Sequence, residues 1–318
     1  MSRFFILPLV AFTSLISCRS LLAQRVPPAL ADKIAVEADV EYGKAGERGL
    51  KLDVIRPKQE SAEPRPCIVW IHGGGWQGGN KNSGTQRLAG LVSSGDYVGI
   101  SVGYRLTDVA SWPAQIHDCK AAIRWVRANA KKYNINPDKI GVWGSSAGGH
   151  LVSLLGTSGD VVELEGENGT PGVSSRVTCV VDFCGPSDFL AIGKSNPRLN
   201  DPGSPVFKLL GGPLADKQDE AKQASPVTYV TKDDAPFLIM HGTLDTTVNI
   251  RQAELLHAKA KEAGVNVTFV KIEGGGHGFG GEEVSARVKA FLEKHLLGKD
   301  VTVSGAAIKA PAVAEKKK

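Results

Sequence analysis

Cysteine is scarce in this sequence, which has five in 318 residues, and no cysteine–histidine spacing in it is typical of a zinc site. One of them, Cys18, lies in an apolar N-terminal segment. The other four lie in patterns typical of buried strands or of a helix: Cys67, Cys119, Cys179 and Cys184. We therefore expect buried free thiols, and the alternative is two disulfides in an oxidising compartment.

Charge is not concentrated anywhere except in the last three residues, which are all lysine. There is no stripe of lysine and arginine interleaved with aromatic residues, so nucleic acid is not expected as a partner. A composition of 42% hydrophobic and 22% charged residues is that of a globular protein and excludes disorder for most of the chain. Internal repeats and a second domain are not apparent, and we expect one large domain.

An apolar run of signal-peptide length, residues 4–16, lies close to the N-terminus and is too short to span a bilayer comfortably. We predict that residues 1–23 are a signal peptide and that the protein is secreted or periplasmic. In the alternative, residues 15–18 resemble a lipoprotein box, in which Cys18 would be lipidated and would anchor the protein to a membrane. Residues 299–318 show no consistent period, and we predict a flexible tail.

Apolar runs alternate with helical patterns between residues 34 and 297. Continuous runs such as residues 67–71, Cys-Ile-Val-Trp-Ile, are typical of central strands buried on both faces. The pattern predicts an α/β fold with an open, mostly parallel sheet of eight strands flanked by helices, and two antiparallel strands at its edge. The predicted strands are residues 34–42, 50–56, 67–71, 97–104, 140–143, 176–184, 236–241 and 265–272.

Residues 186–230 interrupt this alternation with six prolines and a single short helical pattern near residues 215–223. Insertions at the ends of strands usually cover an active site. We therefore predict a catalytic domain over residues 24–298, with residues 186–230 as a small lid-like insertion.

A candidate nucleophile follows the strand at residues 140–143. Residues 144–148 read Gly-Ser-Ser-Ala-Gly and lead into a helical pattern, which places Ser146 in a tight strand-to-helix turn. Glycines are needed at Gly144 and Gly148 because side chains there would collide with neighbouring backbone. Glycine and serine are common in loops, so the motif needs supporting residues elsewhere in the chain.

A serine nucleophile needs a base, an acid that orients the base, and donors for the oxyanion. In open α/β sheets these groups follow the carboxyl ends of strands. His277 lies in a glycine-rich loop after the last predicted strand, and Asp245 follows the strand at residues 236–241. The chain order Ser146, Asp245, His277 is that of the α/β-hydrolase triad.

Other acids and histidines remain alternatives at this stage. The rival acids are Asp182, Asp188, Asp233 and Asp234, of which Asp188 is the strongest because it lies near a strand end. His241 also ends a strand, but the Gly-Thr-Leu-Asp that follows it indicates a structural turn.

Residues 72–75, His-Gly-Gly-Gly, follow the third predicted strand. Glycines there allow the chain to bring backbone N–H groups to the nucleophile, and we assign Gly74, Gly75 and Ala147 as the oxyanion donors. Losing one such donor typically raises the barrier by about 3 kcal/mol. A flexible turn is the alternative for the glycines alone.

Over residues 34–297 the sequence resembles the α/β-hydrolase superfamily, and more narrowly the esterase/lipase group with a His-Gly-Gly-Gly oxyanion motif. It is most similar to secreted bacterial acetyl-xylan and feruloyl esterases of the BD-FAE kind. The shared features are Trp76, Tyr-Arg-Leu at residues 104–106, Pro-Ala-Gln-Ile-His-Asp at residues 113–118, and residues 143–149. Ser145 departs from hormone-sensitive-lipase-like enzymes, which have Asp before the nucleophile, and this argues against a true lipase.

The resemblance implies a serine carboxylic-ester hydrolase that removes acetyl or hydroxycinnamoyl groups from polysaccharide or from other short-acyl esters. It implies no metal and no organic cofactor, and it places Trp76 and Ser145 in substrate binding. The alternatives are an amide hydrolase of the arylformamidase or peptidase kind, a lipase, or a non-catalytic binding protein of the same fold.

Overall fold

The computed structural model describes residues 26–311. Within this range the chain forms one sheet of nine strands in the order β1-β2-β4-β3-β5-β6-β7-β8-β9. β1 pairs with β2 and β2 with β4 in antiparallel fashion, and the remaining neighbours are parallel. The strands are β1 Ile34–Ala45, β2 Arg48–Pro57, β3 Arg65–Ile71, β4 Val98–Val102, β5 Ile135–Ser145, β6 Cys179–Phe183, β7 Phe237–Gly242, β8 Val267–Glu273 and β9 Ile308–Lys309.

Helices cover both faces of the sheet. The α-helices of the described range are α1 Asn82–Val92, α2 Ala114–Ala128, α3 Ala130–Tyr133, α4 Ala147–Thr157, α5 Phe189–Ser195, α6 Pro205–Leu210, α7 Gln218–Gln223, α8 Arg251–Glu262 and α9 Glu282–Leu296. Apolar residues of α2, α4 and α8 pack in one buried cluster, and those of α1 and α9 pack in a second. Because β4, β6 and β7 are buried along their whole length, they read as continuous apolar runs in the sequence. This arrangement is the α/β-hydrolase fold.

The prediction of eight strands is wrong by one. The ninth strand, β9, lies in the segment that was expected to be a flexible tail, and it pairs in parallel with β8 through Ile272 and Ile308. Ile308 is only 3% exposed, and burying an isoleucine side chain contributes about 2 kcal/mol. A two-residue strand has no measurable period, so the sequence pattern did not reveal it.

Residues 186–230 hold three α-helices, α5, α6 and α7, and two short 3₁₀ helices, where one helix was predicted. Each α-helix is only six or seven residues long, too short for a clear helical period in the sequence. The helical segment after residue 113 is divided at Asn129 into α2 and α3.

The four cysteines that the structure describes are all buried and unpaired, as expected. Across residues 26–311, helices are too short or too polar to cross a membrane. The predicted signal peptide, including Cys18, lies outside the described residues, as do residues 312–318.

Candidate active site

Ser146 lies immediately after β5 and immediately before α4. Its backbone has a positive φ of 57° with ψ −121°, a conformation that costs a non-glycine residue energy. Its N–H donates to the Phe183 carbonyl oxygen at the end of β6, at 2.8 Å, which holds the turn in place. A Cβ at Gly144 would overlap the Gly148 carbonyl, and one at Gly148 would overlap the Ile71 carbonyl. The two flanking glycines are therefore required by sterics, as predicted.

The structure brings the three predicted triad residues into one hydrogen-bonded chain. Ser146 Oγ lies 2.8 Å from His277 Nε2, and His277 Nδ1 lies 2.7 Å from Asp245 Oδ2. With the proton on Nδ1, His277 donates to Asp245 and leaves Nε2 free to accept from the serine hydroxyl. These residues are 131 and 32 positions apart in sequence, so the fold alone creates the contact.

Asp245 is held in one orientation by donors on both of its oxygens. Its Oδ1 accepts from the backbone N–H groups of Thr247 at 2.8 Å and Val248 at 2.9 Å. Burial by itself would raise the pKa of Asp245, but hydrogen bonds from His241, His277 and Val248 outweigh it and hold the pKa well below its ordinary value. The carboxylate therefore remains ionised and faces the base.

His241 is a member of the site that sequence analysis missed. Its ring is fully buried, and its Nε2 lies 2.7 Å from the Val248 carbonyl oxygen and 3.1 Å from Asp245 Oδ2. Both neighbours are acceptors, which assigns the proton to Nε2. The four-residue spacing between His241 and Asp245 after a strand was the available signal, and it was interpreted as a structural turn.

We expect His241→Leu to lower kcat for p-nitrophenyl acetate about tenfold with little change in KM, because a charge-assisted hydrogen bond on the catalytic carboxylate is lost. His241→Gln keeps a donor and should recover part of this activity. Steady-state kinetics of both variants checks this, with thermal unfolding to verify the fold. His257→Leu, on the outer helix α8, is the matched control. A change in KM with kcat unaltered would show that His241 does not act through Asp245.

Asp188, the strongest rival acid, has a structural role instead. Its side chain caps α5 by accepting from the Ala191 N–H at 2.9 Å. A second rival, Asp182, is buried and accepts from the Gly185 N–H and the Ser153 hydroxyl. His277 contacts Asp245 and neither of these.

The glycine loop after β3 passes directly beside Ser146. A Cβ on Gly73 would lie 3.3 Å from Ser146 Cβ. Gly74 and Gly75 have φ of 116° and 59°, and a Cβ on Gly74 would overlap the Gly78 carbonyl.

The backbone N–H groups of Gly74 and Gly75 do not donate to any partner within residues 26–311. Ala147 is the first residue of α4, so its N–H has no acceptor within the helix. The three predicted oxyanion donors are thus grouped around Ser146 with free N–H groups.

Trp76, predicted for substrate binding, is mostly buried at 3% exposure. Its Nε1 donates to His150 Nδ1 at 3.1 Å, and His150 Nε2 donates to the Ala224 carbonyl at 2.6 Å. Burial lowers the pKa of His150 to about 4, so the ring is neutral and can accept from the indole. These two hydrogen bonds connect the Trp76 indole to the insertion at residues 186–230.

Two cavities meet at Ser146. The larger, of about 820 Å³, is lined by Trp76 and Ala147 and by apolar side chains such as Val206 and Leu255. The smaller, of about 690 Å³, is lined by His277 and by Ser145, the second residue predicted for substrate binding. Trp76 and Ser145 therefore line different cavities beside the nucleophile.

Cys184 is a close neighbour of the triad. Its Sγ donates to the His277 carbonyl oxygen at 3.4 Å. The possible ligand atoms of Cys184, Asp245 and His277 lie within 4.8 Å of one another. However, burial raises the pKa of Cys184 to about 12, which keeps the thiol protonated, and the Asp245 and His277 atoms bond each other. This set fits a hydrogen-bonded triad better than a metal site.

Several known proteins share this fold and sequence pattern. The probable carboxylic ester hydrolase LipM of Mycobacterium tuberculosis is 32% identical over 226 residues, which are 69% of this chain and 50% of LipM. Esterase LipC of the same organism is 32% identical over 72% of this chain and 56% of its own length. The chain therefore spans about half the length of these curated relatives.

Among solved structures, the truncated form of a carbohydrate esterase from gut microbiota superposes with a TM-score of 0.77 at 32% identity, covering 84% of this chain and 98% of that one. Thermogutta terrifontis esterase 2, phosphorylated by paraoxon, superposes with a TM-score of 0.64 at 29% identity, covering 81% and 90%. The BD-FAE family model matches residues 52–260, well over half of the chain. The chain belongs to the BD-FAE family, in the esterase group of the α/β-hydrolases.

Proposed function

We propose that this protein is a serine carboxylic-ester hydrolase in which Ser146 is the nucleophile, His277 the base and Asp245 the orienting acid. The observation that carries the proposal is the continuous hydrogen-bonded chain from Ser146 Oγ through His277 to Asp245 Oδ2. The esterase names of the related proteins support the same reaction class.

In the proposed reaction, His277 Nε2 takes the proton of Ser146 as Oγ attacks the ester carbonyl carbon. The carbonyl oxygen becomes an oxyanion, which accepts from the N–H groups of Gly74, Gly75 and Ala147. His277 then gives its proton to the departing alcohol oxygen, and an acyl-enzyme remains on Ser146. Water, deprotonated by His277, then attacks the acyl carbon. The bond from this carbon to Oγ breaks, His277 returns the proton to Oγ, and the acid is released. Asp245 stays ionised and stabilises the imidazolium.

The proposed substrates are acetyl or hydroxycinnamoyl esters of polysaccharides and other short-acyl esters. The named carbohydrate esterase among the related structures supports a carbohydrate alcohol. The larger cavity, about 820 Å³ with apolar walls, offers room for an aromatic acyl group as well as for acetyl. The proposal includes export to the periplasm or the exterior through residues 1–23, or a lipid anchor at Cys18.

A substrate panel with the purified mature protein tests this proposal. We expect turnover of acetylated xylan, methyl ferulate and p-nitrophenyl acetate. We expect poor turnover of p-nitrophenyl esters with long acyl chains, since Ser145 departs from the pattern of the hormone-sensitive-lipase-like enzymes. Release of acid and alcohol is measured by chromatography and absorbance. Hydrolysis of formylkynurenine with no turnover of the esters would instead indicate an amide hydrolase, and long-chain preference would indicate a lipase.

A further inference from the structure

The two cavities at Ser146 differ in their relation to the general acid. Only the smaller one, which we name the alcohol cleft, is lined by His277. The departing alcohol must lie within reach of His277 to receive its proton. The alcohol half of the ester therefore occupies the alcohol cleft, and the acyl half occupies the larger cavity. This step rests on the proposed function.

The lining of the alcohol cleft carries a positive charge that no acidic residue in the described part of the lining balances. Its lining includes one arginine, Arg87 on α1, and no aspartate or glutamate among the described residues. Apart from His72 and His277, the other polar side chains of the lining, such as Asn80 and Ser83, carry no charge. A cleft of this composition favours a negatively charged group over a neutral or cationic one.

Arg87 is exposed on α1, and its guanidinium lies over two buried indoles. Its guanidinium carbon lies 5.1 Å from the ring centroid of Trp70 and 5.3 Å from that of Trp143. The two rings meet edge to face at 5.4 Å, and Trp70 Nε1 donates to Ser83 Oγ at 3.1 Å, so the platform is itself fixed. Cation–π contact orients the guanidinium and leaves its N–H groups available.

The guanidinium of Arg87 has no hydrogen bond or ion pair within residues 26–311. Two arginines that are more buried than Arg87 are, by contrast, paired: Arg105 with Asp118 and Arg124 with Glu165. An oriented guanidinium without a partner presents a planar fork of donors, which matches a carboxylate in bidentate geometry.

We propose that Arg87 binds a carboxylate on the alcohol half of the ester. The preferred substrates are then esters of an acidic alcohol, such as an acylated oligosaccharide that contains a sugar acid. The two indoles set the direction of the guanidinium, and no carboxylate among the described residues of the lining competes for it.

The test uses two pairs of acetate esters whose alcohol halves differ only in charge: 3- and 4-acetoxybenzoate, each with its acetoxybenzamide. For each enzyme, kcat/KM of the anionic ester is divided by that of the amide, and intrinsic leaving-group reactivity cancels when these ratios are compared between variants. We expect Arg87→Met to lower the ratio about tenfold for at least one pair, since a charge-assisted hydrogen bond is lost. Arg87→Lys should give an intermediate ratio.

Arg56→Met is the matched control, because Arg56 is exposed on β2 and lies outside the alcohol cleft. It should keep the wild-type ratio. In the wild type, added NaCl should lower the ratio through screening, which tests the idea even if the Arg87 variants fold poorly. Ratios in both Arg87 variants within twofold of wild type for both pairs, or a wild-type ratio insensitive to salt, would overturn the inference. Failure of the wild type to hydrolyse either neutral amide probe would instead count against the proposed function.

Discussion

Ser146→Ala is expected to lower kcat/KM for p-nitrophenyl acetate by at least about a thousandfold. The hydroxyl is the group that accepts the acyl chain, and its partner His277 Nε2, at 2.8 Å, would be left without a proton to take. The remaining activity would come from the oxyanion donors and substrate binding alone. Steady-state rates of wild type and variant, followed at the absorbance of p-nitrophenol, measure the effect.

Ser94→Ala is the matched control for this substitution, because Ser94 is exposed just after α1. Its hydroxyl donates to the Leu91 carbonyl oxygen and accepts from the Asp96 N–H, far from the triad. A second measurement identifies the nucleophile directly. Paraoxon should phosphorylate wild type once, at Ser146, and should leave Ser146→Ala unmodified, as seen by mass spectrometry of peptides. Activity in Ser146→Ala within tenfold of wild type, or phosphorylation at another serine, would exclude the triad mechanism.

Asp245→Asn is expected to lower kcat by roughly a thousandfold to ten-thousandfold. Oδ1 of Asp245 accepts two backbone N–H groups, so the single carbonyl oxygen of an asparagine must occupy that position. The NH₂ group then faces the N–H groups of His277 and His241, which are both donors. To avoid this clash His277 must move its proton to Nε2, where it can no longer accept from Ser146.

Asp188→Asn provides the contrast for Asp245→Asn. Asp188 caps α5 and makes no contact with His277, and asparagine is an equally good helix cap. We expect near wild-type kcat and a change in unfolding free energy below about 1 kcal/mol. Kinetics and urea unfolding of the two variants in parallel distinguish the roles. Loss of activity in Asp188→Asn with retention in Asp245→Asn would assign the orienting role to Asp188.

Several features of the protein follow from the sequence because they depend on short-range physics. Apolar runs such as β7 reveal a buried parallel sheet, since every residue of a central strand must avoid water. Gly144 and Gly148 reveal the turn at Ser146, since only glycine fits against the neighbouring carbonyl groups. The chain order of Ser146, Asp245 and His277 identified the residues that the fold brings together.

Other features were decided only by the tertiary structure. His241 contacts Asp245 because of how the chain turns after β7. Arg87 meets both Trp70 and Trp143 because β3 and β5 are neighbours in the sheet. Strand β9 forms where the buried Ile308 pairs with Ile272 of β8. No local period or motif encodes such contacts. They depend on which surfaces meet after folding, and this is set by the packing of the whole sheet rather than by any single stretch of sequence.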